Sequence, residues 1–191
     1  MPSRTAARSQ EPHVLKTHQN RIALGINPEG WQSRERRLPL KFGTIEQTVF
    51  FEAAPEEIYD ALLDPREHSE FTGSPATTSA KKGATFTAWE GYITGKNLEL
   101  VKGKKIVQEW KTTEWPDGYP ASRLELTLTA KKGGTELKMV HSKVPAEQVE
   151  SYTGGWKSAY WDPLMEYLAK RNKNPAVAKK RASRKKIVSG R

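Results

Sequence analysis

The 191-residue chain contains no cysteine, which excludes disulfide scaffolds, thiolate zinc sites and thiol nucleophiles together. Long hydrophobic runs are missing as well. Nowhere do about 18 apolar residues follow one another, and residues 1–30 have no apolar stretch behind their arginines, so neither a membrane span nor a secretion signal is expected. Histidine is scarce: His13, His18, His68 and His141 make no metal-ligand pair with each other or with a carboxylate on one helix face. Neither a Gly-Xaa-Ser-Xaa-Gly elbow nor a Walker-type phosphate loop occurs. These absences lead to the expectation of a cytoplasmic protein with no metal and no cofactor.

Basic residues are abundant but unevenly placed. The formal net charge is +10, of which residues 1–40 contribute +4, residues 170–191 contribute +10 and residues 41–169 contribute −4. The basic character therefore belongs to the ends. Residues 1–40, interrupted by Pro2, Pro12, Pro28 and Pro39 and without sustained periodicity, read as a flexible N-terminal arm. Residues 41–170 read as one folded domain and residues 171–191 as a basic, disordered tail. Within that tail Lys179, Lys180, Arg181, Arg184, Lys185 and Lys186 are candidate polyanion contacts, without the aromatic neighbours that would stack on bases.

Inside the domain the periodicity changes in a fixed order. Thr44–Phe51 is β-branched and aromatic, with Ile45, Val49 and Phe51 on one pleat face, and predicts a first strand. Two short helices follow, from Pro55 to about Asp64 and from Pro65 to Phe71, each opened by a proline. Their acids Glu56, Glu57, Asp60, Asp64, Glu67 and Glu70 read as a solvated face. Strands are predicted at Thr85–Trp89, Asn97–Val101, Lys105–Trp110, Arg123–Ala130 and Thr135–Val144, with Leu124, Leu126 and Leu128 alternating cleanly. The last element is a long amphipathic helix over Gly154–Lys170, bent at Pro163, with Trp156, Tyr160, Leu164 and Leu168 on its inner face.

This order predicts an α+β helix-grip fold, a curved antiparallel sheet wrapped around a long C-terminal helix. A gap between sheet and helix in such a layout is a lipophilic cavity, and Phe71, Phe86, Trp89, Trp110, Trp156 and Tyr160 are its candidate lining. The same rings alternatively fill the space as core. Gln108 and His141 share pleat parity with apolar neighbours and point inward, either to orient a ligand or to be satisfied by hydrogen bonds within the core. With no carboxylate paired to His141 by parity, no catalytic residue is assigned.

Several stretches carry a family resemblance. They are Ala54-Pro55-Glu56-Glu57-Ile58-Tyr59-Asp60-Ala61-Leu62 with Asp64-Pro65, His68-Ser69-Glu70-Phe71-Thr72-Gly73, Gly91-Tyr92-Ile93-Thr94-Gly95-Lys96-Asn97-Leu98-Glu99-Leu100 and Lys105-Ile106-Val107-Gln108-Glu109-Trp110. Trp115-Pro116-Asp117-Gly118, Val144-Pro145 and Gly155-Trp156 leading to Tyr160-Trp161-Asp162-Pro163-Leu164 complete the series. In this order, from Thr44 to Lys170, the chain resembles the C-terminal domain of the activators of the 90-kDa heat-shock chaperone ATPase, a branch of the START-like or birch-allergen-like superfamily. The resemblance implies a helix-grip fold and a non-catalytic module that stimulates a heat-shock chaperone ATPase in the stress response, here as a stand-alone domain. Under it Tyr92, Lys96, Asn97, Trp115, Asp117 and Tyr119, on the Gly91–Asn97 turn and the Trp115–Tyr119 loop, are candidate partner contacts. The superfamily implies the alternative of a carrier or sensor for a small lipophilic ligand.

Overall fold

Alternating apolar and polar side chains build one antiparallel sheet, seen in a computed structural model that describes residues 39–173. The N-terminal arm up to residue 38 and the lysines and arginines from Lys179 to Lys186 lie outside the described residues. The strands are β1 (Phe42–Phe51), β2 (Thr85–Ala88), β3 (Ile93–Val101), β4 (Lys105–Thr112), β5 (Ser122–Lys131) and β6 (Gly134–Pro145), in the spatial order β1-β6-β5-β4-β3-β2. Ile45, Leu124, Leu126, Leu137, Met139 and Ile106 alternate onto the inner face and are buried, each worth about 1.5–3 kcal/mol of apolar burial. Between β1 and β2 run α1 (Pro55–Leu63) and α2 (Pro65–Thr72). Proline opens each where a missing N–H costs nothing, the Glu57 carboxylate accepts the Ala54 N–H at 2.9 Å, and Asp64 caps α2 by accepting from the N–H groups of Arg66 and Glu67.

Three departures from the sequence pattern shape the molecule. Helical structure runs from Ala146 to Lys173 rather than from Gly154 to Lys170: a 3₁₀ turn, α3 (Val149–Gly155), a π-helical turn Trp156–Trp161 and α4 (Asp162–Lys173). The π turn ends two residues before Pro163, whose ring collides with the carbonyl four residues back in an α-helix, and the wider turn is how the chain absorbs it. Because i and i+5 align in that turn, Trp156 and Trp161 stack at 5.2 Å and 16°, and both are buried with Tyr160.

The second departure concerns the Gly91–Asn97 segment, expected as a turn. Its strand begins at Ile93, and the turn is confined to Trp89–Tyr92, with Trp89, Glu90 and Gly91 at positive φ (54°, 54° and 88°). The third is that α1 and α2 do not present a wholly solvated acidic face. Glu57 and Glu67 are buried or nearly so against the Arg171 guanidinium, which bonds Glu67 and lies 3.7 Å from Glu57. Burial raises the Glu67 carboxyl above its usual range while Arg171 pulls it down. Arg171 thus belongs to the folded domain, and the helix extends past the expected end at residue 170.

Deep in the core, a polar relay joins helix to sheet. Trp156 donates its indole N–H to His141 Nδ1 at 3.1 Å, His141 Nε2 meets Ser122 Oγ at 2.7 Å, and Ser122 donates to the Trp110 carbonyl at 2.8 Å. An indole N–H only donates, so Nδ1 is the bare nitrogen and Nε2 carries the proton. Register makes this possible: His141 faces Leu124 on β5 and Ile45 on β1, while Ser122 faces Trp110 on β4.

Protonating Nδ1 would set two N–H groups against each other in a dry interior. Burial holds the His141 pKa down at about 3, against 6.5 ordinarily. Between those values the unfolded chain binds more protons than the folded one, so stability falls as pH drops from 6.5 towards 3, by about 1.4 kcal/mol per pH unit for one such group. Urea midpoints between pH 7.5 and pH 4 should therefore decline more steeply in the native protein than in His141→Gln. Part of the slope should survive in the variant, because burial also lowers the His68 pKa. Identical slopes in the two proteins would refute the assignment.

Candidate functional site

One apolar cleft opens beside the relay. It has a volume of about 290 Å³ and lies between the β2–β3 turn, β4 and the helical run from α3 into the π turn. Its walls are Trp89 and Tyr92 from the turn, Trp110 from β4, and Tyr152, Trp156 and Tyr160 from the helix, with Ile93 at the base of β3. The space exists because the helix presents Ser151, Gly155 and Ala159 to it at four-residue spacing, one small residue per turn. At Gly155 an added Cβ would meet nothing within 4 Å. Trp110 packs on Tyr152 at 5.6 Å edge to face and on Trp156 at 5.7 Å, and Trp156 lies 4.8 Å from Tyr160.

Hydrogen bonds hold the rim. Tyr92 donates its hydroxyl to the exposed Glu114 carboxylate at 2.7 Å, and Tyr152 shares a 2.6 Å bond with buried Thr112. Gln148 donates to the Glu114 carbonyl at 2.8 Å and ties the rim to the helix start. Burial raises the Tyr92 and Tyr160 hydroxyls well above the ordinary tyrosine value, so both stay protonated.

Of the eight cavity candidates, Trp89, Trp110, Trp156 and Tyr160 meet in the cleft. Phe71 lies in the core between His68 and Tyr167. Phe86 and Gln108 border a separate void of about 30 Å³, room for a single water. Gln108 spends its amide on Asn97, whose own amide donates to the Ser79 and Lys81 carbonyls, so this pair pins the strand to the loop before β2. His141 stands behind Trp110 and Trp156, at 4.8 and 5.7 Å, and both its nitrogens are engaged. Ser122 and His141 are no nucleophile–base couple, since the serine proton is directed at the Trp110 carbonyl.

The six candidate partner contacts divide by exposure. Lys96 and Asp117 are exposed, and Tyr92 and Tyr119 are half-buried. Asn97 and Trp115 are buried and offer no surface: Asn97 serves the bonds just described, and Trp115 packs edge to face on Trp110 at 6.4 Å. Tyr119 braces the entry to β1, packing on Phe42 at 5.3 Å and bonding the Lys41 backbone. Among the described residues no group of histidine and carboxylate side chains could hold a metal ion, and no helix is long and apolar enough to cross a membrane.

The comparisons with known proteins agree with this architecture. Residues 52–169 match the family model described as Activator of Hsp90 ATPase homolog 1-like protein. The human Activator of 90 kDa heat shock protein ATPase homolog 1 is 30% identical over 155 residues, which cover 80% of this chain and 44% of that one. A homolog of that activator from Dictyostelium discoideum is 28% identical over 124 residues, 63% of this chain and 32% of its own. The chain spans less than half the length of these curated relatives. Among solved structures, PFC0360w, an HSP90 activator from Plasmodium falciparum, superposes with a TM-score of 0.62 at 26% identity, covering 66% of this chain and 96% of that one. Ara h 8.0201 shares the fold alone, with a TM-score of 0.56 at 12% identity over 68% of this chain and 99% of that one. With well over half of its length inside the family model, this chain belongs to the Activator of Hsp90 ATPase homolog 1-like family.

Proposed function

We propose that the protein is a non-catalytic, cytoplasmic co-chaperone module that binds a heat-shock chaperone ATPase and raises its rate of hydrolysis. The observation that carries this reading is the match to PFC0360w over 96% of a chain described as an HSP90 activator, so the shared domain makes up nearly all of that chain. The core chemistry supports the non-catalytic part: both nitrogens of the one histidine beside the cleft are occupied, and its serine neighbour donates elsewhere. A module of this kind accelerates turnover by binding the hydrolysis-competent conformation of its partner more tightly than the resting one. Its contacts are proposed at Tyr92, Lys96, Asp117 and Tyr119. Adding the purified protein to the chaperone of its own organism should raise ATPase turnover, and the double variant Lys96→Glu, Asp117→Lys should reduce the stimulation severalfold. An unchanged rate together with no complex in analytical ultracentrifugation refutes the reading.

A second reading, a carrier or sensor of a small lipophilic molecule, is favoured by one observation, the open apolar cleft of about 290 Å³ between sheet and helix. Trp89, Trp110 and Trp156 line it, so entry of a ligand should change intrinsic fluorescence. Ala159→Leu adds bulk where the helix now leaves room, and it should abolish the change while leaving the unfolding free energy from urea titration within about 1 kcal/mol of native. Retention of the full response in that variant would remove the cleft as the binding site.

A further inference from the structure

The cleft differs from a generic lipophilic pocket in the chemistry of its walls. Six of its ten lining residues are aromatic, whereas the branched aliphatic contribution is Ile93 alone. Among the described residues no lysine, arginine or histidine lines it. The nearby bases in sequence are engaged elsewhere: Lys111 donates to the Tyr119 carbonyl at 3.1 Å, and Lys157 pairs with Asp162 at 2.6 Å. The rings do not form one flat stack. Trp110 meets Tyr152 at 83° and Trp156 at 37°, and Trp156 meets Tyr160 at 49°, so the rings are inclined to one another.

Aromatic faces carry negative potential, and a cation enclosed by several of them is held electrostatically as well as by contact. A carboxylate adds to that field: Glu114 is one hydrogen bond from the cleft wall, through the Tyr92 hydroxyl at 2.7 Å. Direct oxygen ligands are few, with Ser151 contributing the one aliphatic hydroxyl among the described residues. A strongly hydrated ion, such as a metal or a bare ammonium, would lose its water shell without replacement. A weakly hydrated organic cation would not.

Building on the second reading above, we infer that the cleft binds a small organic cation of the quaternary-ammonium type in preference to a neutral lipophile of the same shape. The alkylated nitrogen sits among Trp89, Tyr92, Trp110, Tyr152, Trp156 and Tyr160, and Glu114 supplies long-range attraction from the rim.

Two probes of matched shape test this, benzyltrimethylammonium and its uncharged isostere neopentylbenzene, each titrated into the full chain by tryptophan fluorescence and calorimetry. The cation should bind at least about tenfold more tightly than the isostere. Glu114→Gln should weaken the cation about threefold at low salt and leave neopentylbenzene unchanged, and Ala159→Leu should abolish binding of both. Equal or tighter binding of the neutral isostere overturns the inference while the lipophilic reading stands. Failure of both probes to bind removes the two together. Cation binding that persists in Ala159→Leu places it outside the cleft and likewise overturns the inference, and equal losses for both probes in Glu114→Gln remove the carboxylate from it.

Discussion

The contact on which this architecture turns is the hydrogen bond from the Trp156 indole to the bare nitrogen of His141. It joins the middle of the C-terminal helical run to β6, which lies between β1 and β5 in the sheet, and the proton order it sets passes through Ser122 to the backbone of β4. A net contribution of about 1 kcal/mol is typical of one such bond, but breaking one leaves its partner buried and unsatisfied at a cost of about 1–3 kcal/mol. The relay therefore acts less as a source of stability than as a constraint on alternatives. Any shift of the helix along the sheet would strand an indole N–H, a histidine or a serine in an apolar interior.

That constraint explains why the π turn matters. Pro163 makes regular α-helix unfavourable at its fourth preceding carbonyl, and the chain responds by widening the turn that contains Trp156. In an α-helix Trp156 and Trp161 would face different directions. The π pitch lets Trp156 serve the relay while Trp161 stacks on it and donates its own N–H to Gln47 on β1. Helix and sheet are thus tied at two strands from consecutive turns. Along the same run, Ser151, Gly155 and Ala159 leave room beside Trp110, and the cleft is what remains.

Much of this was legible because strands and amphipathic helices announce themselves by period. Leu124, Leu126 and Leu128 in one strand, and Trp156, Tyr160, Leu164 and Leu168 in the helix, mark their buried faces without reference to anything distant, and the α+β helix-grip order follows from them. Parity also placed Gln108 and His141 inside, and the alternative of hydrogen bonds within the core is the one the structure displays. What period does not carry is pairing between distant segments. Glu57, Glu67 and Arg171 looked like solvent-facing charges because their mutual contact spans more than 100 residues of chain. Asn97 and Trp115 were assigned to the surface for the same reason, since the loop carbonyls and the Trp110 ring that bury them lie elsewhere in sequence. The small-residue spacing at 151, 155 and 159 was a visible signal of the cleft. Attention to large side chains passed over it, because a cavity is written in the residues that fail to fill it.

The same reasoning bears on how the two functional readings relate. The surface proposed to engage a chaperone and the cleft proposed to admit a ligand meet at the Trp89–Tyr92 turn, where Tyr92 is at once a cleft wall and a half-exposed surface residue. Trp89 and Glu90 hold positive φ there, a conformation that costs non-glycine residues about 1–3 kcal/mol each and persists only while neighbouring contacts enforce it. Those contacts include the Tyr92 bond to Glu114 and the cleft rings themselves. Occupying the cleft would add to them. An occupant that tightened this turn would change the free energy of whatever surface Tyr92 presents, and by reciprocity a partner gripping Tyr92 would change the affinity of the cleft. The two readings are accordingly linked through one residue, and the sign of the linkage depends on whether the partner needs the turn as it stands or relaxed.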